Sequence, residues 1–265
     1  MVYDVFLNYL NSHSIDDTNS RIILYLLQNR SRARELTITQ VANDCFVSPA
    51  SITRFIQRFG FLSFPELKKQ ISTETGSVDL TSFQLSSKDR KDAATDAAAY
   101  LSNYGTYVWS SIKTSAETLS LDDSLALIEA IERADQVYLF GYDSILDYLK
   151  RFQQSLVQCE IYAFLSNTVQ GQIELAHRMT ERDLCIISSS FGQFFSHRQE
   201  LAKAIEGSGA QTVLLTQSPA LFNAIEMDRT IVITEKPDPR AGSFCMEFYL
   251  EFLARVICSH HTERS

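Results

Sequence analysis

The sequence predicts an all-α helix-turn-helix domain followed by an α/β domain built on a doubly wound parallel sheet. Three observations support this fold class. Residues 37–60 have the pattern of two short helices joined by a tight turn. Residues 73–92 are polar and rich in turn-forming side chains, as is typical of a linker. Beyond residue 135, short β-rich runs alternate with helical stretches, which favours parallel strands joined by helices.

These patterns divide the 265 residues into a helix-turn-helix domain at 1–75, a linker at 76–92 and a sheet domain at 93–265. Hydrophobic residues make up 45% of the chain, which is enough for sizeable folded cores. We expect no membrane-spanning helix, because no run of 18 apolar residues exists. The first residues lack the basic segment of a secretory signal, so we expect a cytoplasmic protein.

Two helices are predicted before the motif, at residues 2–10 and 20–28. The second helix of the motif has clear end signals. Ser48 is a good N-cap, because its hydroxyl can accept a hydrogen bond from a backbone N–H of the first turn. Pro49 fits the first helical position, where its missing N–H costs nothing. Gly60 tolerates the left-handed conformation with which many helices end.

One face of this second helix is apolar at helical spacing and predicts packing on a core: Ile52, Phe55, Ile56 and Phe59. The opposite face, together with the first helix, predicts a DNA-binding surface: Thr39, Ser48, Pro49, Ala50, Ser51, Thr53, Arg54, Gln57 and Arg58. We expect Arg54 and Gln57 to read bases, because Arg pairs with guanine and Gln with adenine. Ser48 and Ser51 are expected at phosphates or base edges, and Arg58 at the DNA backbone. A helical hairpin with a solvated polar face is the alternative.

The distribution of charge favours this surface, although the chain has a net charge of −8. Residues 30–69 contain seven basic and three acidic residues, a net charge of +4. Three of the basic residues belong to a connector at 29–34: Arg30, Arg32 and Arg34. Positive potential is therefore expected around the motif, as phosphate binding requires.

The second domain begins with predicted helices at 93–119 and 122–134. Five strands are predicted: Val137–Phe140, Ile161–Leu165, Leu184–Ser188, Thr212–Leu215 and Thr230–Ile233. The helices between them centre on Leu149, Ile173, Leu201 and Leu221, and a last helix covers about 243–258. Ligands of such sheets bind at the carboxyl ends of the strands.

Hydroxyl groups and glycines are concentrated in the loops at those carboxyl ends. Such groups at helix N-termini suit an anion, although Asp143 would repel a phosphate. The candidate effector site contains Gly141, Tyr142, Asp143, Ser144, Ser188, Ser189, Ser190, Gly192, Gln193, Thr216 and Ser218. Ordinary strand-to-helix turns with capping serines are the alternative.

No cofactor or metal site is predicted. Five cysteines are scattered without a Cys-x-x-Cys spacing, which favours buried, reduced thiols: Cys45, Cys159, Cys185, Cys245 and Cys258. No catalytic motif is present, and lone residues such as His177 and Glu247 are more often structural than catalytic.

The chain resembles the RpiR family of bacterial transcriptional regulators over nearly its full length. The resemblance depends most on residues 41–42, 48–55, 59–61 and 64–68. They are similar to the family's helix-turn-helix, in which a Ser-Pro pair opens the recognition helix and an Arg occupies the position of Arg54. The C-terminal half resembles the sugar isomerase (SIS) domain, with which these regulators sense phosphosugars.

The resemblance implies a homodimer or tetramer that binds an inverted-repeat operator in double-stranded DNA. It further implies control of carbohydrate or amino-sugar genes and a phosphosugar effector. The effector loops depart from the family pattern. Asp143 replaces a glycine and Ile145 a serine in the first loop, and Phe191 and Phe194 replace a serine and a threonine in the second. Phosphate would therefore lose hydroxyl donors and meet a negative charge.

Two alternative functions remain. An isomerase-like enzyme acting on sugar phosphates would need an acid–base pair near the strand ends. A regulator whose second domain is only a dimerisation scaffold is the other alternative. The last helix favours the scaffold, because its apolar face is broad: Phe248, Tyr249, Phe252, Leu253, Val256 and Ile257. Packing inside its own domain would explain the same face.

Overall fold

The structure, a computed structural model, describes residues 2–76, 86–142, 144–191, 194–195, 198–218, 225–238 and 240–264. The chain forms two compact units, Met1–Ser86 and Ser87–Ser265. Within the described residues, the first unit is helical and the second contains all of the strands.

The first unit consists of α1 (Val2–Ser12), α2 (Thr18–Gln28), a 3-10 helix (Arg30–Glu35), α3 (Ile38–Asp44), α4 (Pro49–Arg58) and α5 (Phe64–Gly76). Side-chain caps explain where α2 and α3 begin. The Asp17 carboxylate accepts hydrogen bonds from two backbone N–H groups of α2. Thr37 and Gln40 form a reciprocal capping box at the start of α3.

The core of the first unit is aromatic. Phe6 of α1 is fully buried, and its ring centroid lies 5.9 Å from those of Phe55 and Phe59. The Phe61 ring lies 6.4 Å away from it on another side. The apolar stripe predicted on α4 therefore packs against α1, and this contact fixes the orientation of the polar face of α4.

The basic connector forms the 3-10 helix rather than an open loop. Lys68 of α5 holds its C-terminal end, because Nζ donates to the backbone carbonyls of Arg34 and Leu36, each at 2.9 Å. Ala33 is buried beneath the helix, whereas the side chains of Arg30, Arg32 and Arg34 are exposed.

The second unit contains α6 (Ser87–Thr95), α7 (Ala97–Thr118), α8 (Leu121–Arg133), β1 (Val137–Phe140), α9 (Ser144–Gln158), β2 (Ala163–Leu165), α10 (Val169–Ala176), β3 (Leu184–Ser188), α11 (Gln199–Glu206), β4 (Gln211–Thr216), β5 (Arg229–Val232) and α12 (Gly242–Arg264). The five strands form one sheet in the order β2-β1-β3-β4-β5. Every neighbouring pair is parallel. The fold class predicted from the sequence is therefore confirmed.

Alternate side chains of the central strands enter the cores on the two faces of the sheet. Val137 and Leu139 of β1 pack with α8, α9 and α12. Tyr138 and Phe140 pack on the opposite face, with α10 and α11. Because both faces are covered, β1 and β3 are buried at every position, as expected of central parallel strands.

Some predicted boundaries differ from the structure. Residues 87–92 were expected to belong to the linker, but they begin α6, in which Lys88 and Asp92 form an ion pair across one turn. Residues 161 and 162 were expected in β2, but they lie outside it. The helix predicted around Leu221 lies outside the described residues.

The last helix is longer than predicted and extends to Arg264. Its apolar face packs mainly inside its own unit, because Tyr249, Leu253 and Ile257 are buried in the sheet core. That face therefore gives no support to the scaffold alternative. No helix in the described part of the chain is long and apolar enough to cross a membrane.

Candidate DNA interface and strand-end ligand site

The helix-turn-helix surface consists of α3, the turn after it, and α4, which we call the recognition helix. The predicted DNA-binding residues share one property: each is exposed, except Ser51, which is half-buried. Ile52, Phe55 and Ile56 lie on the buried face. The recognition helix therefore packs one face on the core of the first unit and exposes the opposite, polar face.

Several hydroxyl groups on this surface form hydrogen bonds within the recognition helix or at its start. Ser48 caps it, since Oγ accepts a hydrogen bond from the Ser51 backbone N–H at 3.2 Å. The Ser51 Oγ lies 3.0 Å from Ser48 Oγ and accepts from Arg54 Nη2 at 3.4 Å. Thr53 Oγ1 donates to the Pro49 carbonyl at 3.3 Å. Ser48 thus has a structural role, and the Arg54 guanidinium keeps donors for a base edge.

A second cation is placed by an aromatic side chain of α1. The Arg58 guanidinium carbon lies 5.4 Å from the centroid of the Tyr9 ring, within the range of a cation–π contact. Tyr9 is fixed in turn, because its hydroxyl donates to the Asp17 carboxylate at 2.8 Å. This hydrogen bond holds the pKa of Asp17 below its usual value. Sequence reasoning found Arg58 but missed Tyr9.

The turn between α3 and the recognition helix is tight, although Phe46 occupies its left-handed position. Phe46 has a φ of 55° and is 87% exposed. Its N–H donates to the Asn43 carbonyl at 3.1 Å, and the Val47 N–H donates to Ala42 at 2.9 Å. This is the Schellman pattern, in which glycine is usual. Gly60 ends the recognition helix with the same pattern and a φ of 76°.

We expect Phe46→Gly to raise the free energy of unfolding of the first unit by about 0.5–1 kcal/mol, because it relieves a left-handed residue and removes little packing. Urea denaturation of the full chain, with amide exchange in α3 as the local probe, measures this change. Phe46→Ala is the control and gives no such gain, since its Cβ keeps the strain. Equal stabilities of the two variants would refute this explanation.

The second candidate site lies where the order of the strands reverses. From β1 the chain goes to β2 on one side and then to β3 on the other, so the crevice in which ligands of such sheets bind is expected at the carboxyl ends of β1 and β3. We call this the strand-end site. Gly141 follows β1, where a Cβ would come within 2.8 Å of the Leu149 side chain. A side chain at this position would therefore require the Leu149 and Ile145 side chains of α9 to shift.

Two hydroxyl groups of the strand-end site, those of Ser189 and Thr216, bind loop backbone. Ser189 Oγ accepts a hydrogen bond from the Phe194 N–H at 3.2 Å. Thr216 Oγ1 donates to the Ser190 carbonyl and accepts from the Ser218 N–H at 3.1 Å. The Ser188 hydroxyl is different, because it is buried without a hydrogen-bond partner among the described residues.

Arg198 is the residue of this site that sequence reasoning missed. It lies at the N-terminus of α11, half-buried, and Nη1 donates to the Phe194 carbonyl at 2.6 Å. Its guanidinium carbon is 5.1 Å from the Tyr142 ring centroid and 5.6 Å from that of Phe194. Burial lowers the pKa of Arg198 below its usual value. The strand-end site therefore contains a partly desolvated cation in contact with two aromatic rings.

Gln172 of α10 is a second residue that the sequence did not single out. It is 3% exposed, and Nε2 donates to the carbonyls of Gly141 at 2.8 Å and Ser166 at 3.1 Å. Its Oε1 has no hydrogen-bond partner in the described part of the structure. A lone glutamine in a helix gives no signal in a sequence, because only the fold brings it beside the first loop.

Three predicted effector residues, Asp143, Gly192 and Gln193, lie outside the described residues. Ser144 begins α9, but the structure does not describe its side chain. Tyr142 and Ser218 are half-buried, and Ser188, Ser189 and Thr216 are buried. Among the described residues, no group of three His, Cys, Asp or Glu side chains could hold a metal ion.

A helix-turn-helix with an exposed recognition helix is the arrangement with which many DNA-binding proteins read the major groove. Residues 6–77 match the helix-turn-helix domain of the rpiR family. An HTH-type transcriptional regulator of Caldanaerobacter subterraneus subsp. tengcongensis is 26% identical over 251 residues, covering 88% of this chain and 80% of the relative. Another, from Providencia stuartii, is 22% identical over 209 residues, covering 76% and 69%.

Among solved structures, the chain is similar to Vibrio vulnificus NanR complexed with ManNAc-6P. The TM-score is 0.51 at 16% identity, covering 98% of this chain and 90% of that chain, which shows a shared fold. Residues 6–77 accordingly form a helix-turn-helix domain of the rpiR family, and the relatives that match most of the chain are HTH-type transcriptional regulators. The resemblance noted from the recognition-helix segment is confirmed.

Proposed function

We propose that this regulator binds an inverted-repeat operator as a homodimer or tetramer in the cytoplasm and responds to an anionic sugar derivative. The observation that carries the proposal is the exposed polar face of the recognition helix, with Arg54 and Gln57 at its middle. Both side chains have the donors that read guanine and adenine in the major groove.

In this proposal the basic residues around Arg54 contact the phosphates of the DNA backbone. Arg58 beside Tyr9 and the exposed arginines of the 3-10 helix supply positive charge for phosphates. Thr39, Ala50, Ser51 and Thr53 complete the surface, and Pro49 and the capping hydroxyl of Ser48 fix the start of the helix.

Self-association is needed to place two recognition helices on two half-sites. The long helix α7 supports it. Among its 22 residues, only Ser115 is buried, and Leu101 and Trp109 are largely exposed. Because few of its side chains are buried, α7 has exposed apolar surface that a second copy of the chain could contact.

The effector proposal depends on the strand-end site. NanR, a structural relative, has been solved with a phosphosugar, and the crevice here contains the partly buried Arg198 cation. An arginine can hold a phosphate through paired N–H donors. Arg198 could thus replace the serine and threonine hydroxyl groups that the family pattern has in these loops and this chain lacks. Gln172 Oε1 and the Ser188 hydroxyl are free to bind hydroxyl groups of the sugar.

Regulation without turnover is the favoured function over isomerisation. An isomerase would need an acid–base pair, and the candidates named from the sequence are Glu247 and His177. The Glu247 carboxylate is paired with Arg151, and His177 is the C-cap of α10. Incubation with sugar phosphates, followed by chromatography of the products, tests this point. Isomerised product that depends on the protein would favour the enzyme.

The decisive experiment for DNA binding is selection of sites from random duplex DNA, with wild type and Arg54→Ala in parallel. We expect wild type alone to enrich an inverted repeat. Enrichment of a single half-site would contradict the dimer but keep sequence-specific binding. If neither protein enriches any sequence at low salt, with or without ManNAc-6P, the proposed DNA surface is wrong.

We expect Arg198→Gln to weaken binding of an anionic sugar about tenfold or more, because a charged hydrogen bond is lost. Calorimetric titration with ManNAc-6P as the probe measures the dissociation constant. Arg182→Gln is the matched control, because Arg182 is an exposed arginine paired with Asp135 outside this site. An equal loss in both variants would mean that only general charge matters.

A further inference from the structure

Two cysteines that are far apart in sequence meet between helices. Cys159 follows the last residue of α9, and Cys258 lies in α12. They are 99 positions apart, and their sulfur atoms are 2.8 Å from each other. The sequence favoured five separate buried thiols, so this contact is a finding of the structure alone.

The other three cysteines have different surroundings. Cys45 lies in the first unit, whereas Cys185 and Cys245 are fully buried in the sheet cores. Cys258 is half-buried, whereas the other four cysteines are buried. Its Sγ also lies 3.9 Å from the Ser155 carbonyl, so the side chain is held facing α9.

We propose that Cys159 and Cys258 are a modification site: a dithiol that a peroxide converts into a reversible disulfide joining α9 to α12. Cytosolic disulfides, where they occur, are mostly redox-sensing or catalytic rather than structural. The pair fits that use, because Cys258 is only half-buried and the resolving thiol of Cys159 is already in contact with it.

The chemistry balances in two steps. The Cys258 thiolate attacks one peroxide oxygen, the O–O bond breaks, and the products are a sulfenic acid at Cys258 and water or an alcohol. The Cys159 sulfur then displaces the hydroxyl group, which leaves as water with the Cys159 proton. Overall, two thiols lose two electrons and two protons, and the peroxide is reduced. Burial raises the pKa of Cys159, which suits the resolving thiol rather than the thiol that attacks the peroxide.

The disulfide would have a consequence for the sheet unit. α9 begins at Ser144, beside the first loop of the strand-end site, and ends beside Cys159. Joining its C-terminal end to α12 would restrict movement of the helix that borders this loop. The thermal midpoint of the oxidised sheet unit should therefore exceed that of the reduced unit.

The test uses the full chain, first reduced and then treated with hydrogen peroxide. Thiol titration under denaturing conditions should fall from five groups to three, and the mass should fall by two hydrogens. Peptide mapping should give one linked peptide pair containing Cys159 and Cys258, and dithiothreitol should restore five thiols.

Cys258→Ser should abolish the linked peptide and the rise in thermal midpoint. Cys45→Ala should keep both, and it controls for the loss of one buried thiol. Cys159→Ala adds a second test, in which Cys258 should stop at the sulfenic acid. The proposal is overturned if the thiol count stays at five, if Cys258 is oxidised singly in wild type, or if the linked peptides join two chains.

Discussion

The Arg54→Ala variant is expected to bind its selected operator roughly fivefold to more than a hundredfold more weakly than wild type, a loss of about 1–3 kcal/mol. Arg54 is exposed on the recognition helix, and its side-chain hydrogen bond to Ser51 Oγ is long. The substitution therefore removes donors from the surface without disturbing the core. Titration of labelled duplex at one fixed salt concentration measures the loss.

Two further variants separate base reading from general charge. Arg54→Lys keeps the charge but loses the planar pair of donors, so it should restore little of the specific affinity. Arg58→Ala should weaken binding to cognate and scrambled duplexes alike and reduce the salt dependence. If Arg54→Ala instead lowers both affinities equally, Arg54 contacts phosphates and does not read a base.

The Phe6→Ala variant is expected to lower the free energy of unfolding of the first unit by about 3–5 kcal/mol, since it empties the centre of an aromatic core. A domain of this size has only about 5–15 kcal/mol of stability in total. The recognition helix packs on Phe6 through Phe55 and Phe59, so operator binding should fall with the folded fraction.

Amide exchange resolved by peptide tests this prediction, because it reports the first unit and the sheet unit separately. Protection should fall in α1 and the recognition helix and remain unchanged in β1 and β3. Leu62→Ala is the control, because Leu62 is 92% exposed and its removal should change stability by less than about 0.5 kcal/mol. Loss of protection in both units would contradict the prediction that this substitution destabilises only the first unit.

Local signals in the sequence located the elements that depend on local chemistry. The predicted bounds of β1 and β3 agree with the structure, because both strands are short apolar runs buried on two faces. The start of the recognition helix was predicted from Ser48 and Pro49, whose capping roles involve only neighbouring residues. The apolar stripe on this helix was also correct, since helical spacing decides which residues share a face.

Features that depend on distant contacts could not be predicted. Arg198 belongs to the strand-end site because its guanidinium lies against the Tyr142 ring, which follows β1. Gln172 reaches the Gly141 carbonyl from another helix, and Tyr9 reaches Arg58 from α1. Each of these side chains is unremarkable in its own segment. The predicted base readers and effector residues themselves stay predictions until binding is measured.

The edges of the sheet bear on how this chain associates with itself. Within the described residues the outer strands are β2, with three residues, and β5, with four. Strands this short leave few unpaired backbone N–H and C=O groups, so they are poor templates for adding a strand from another chain. Extension of the sheet into fibres is thereby disfavoured. In the proposed dimer we therefore expect the contacts on helix surfaces, where side chains rather than backbone decide which partner is accepted.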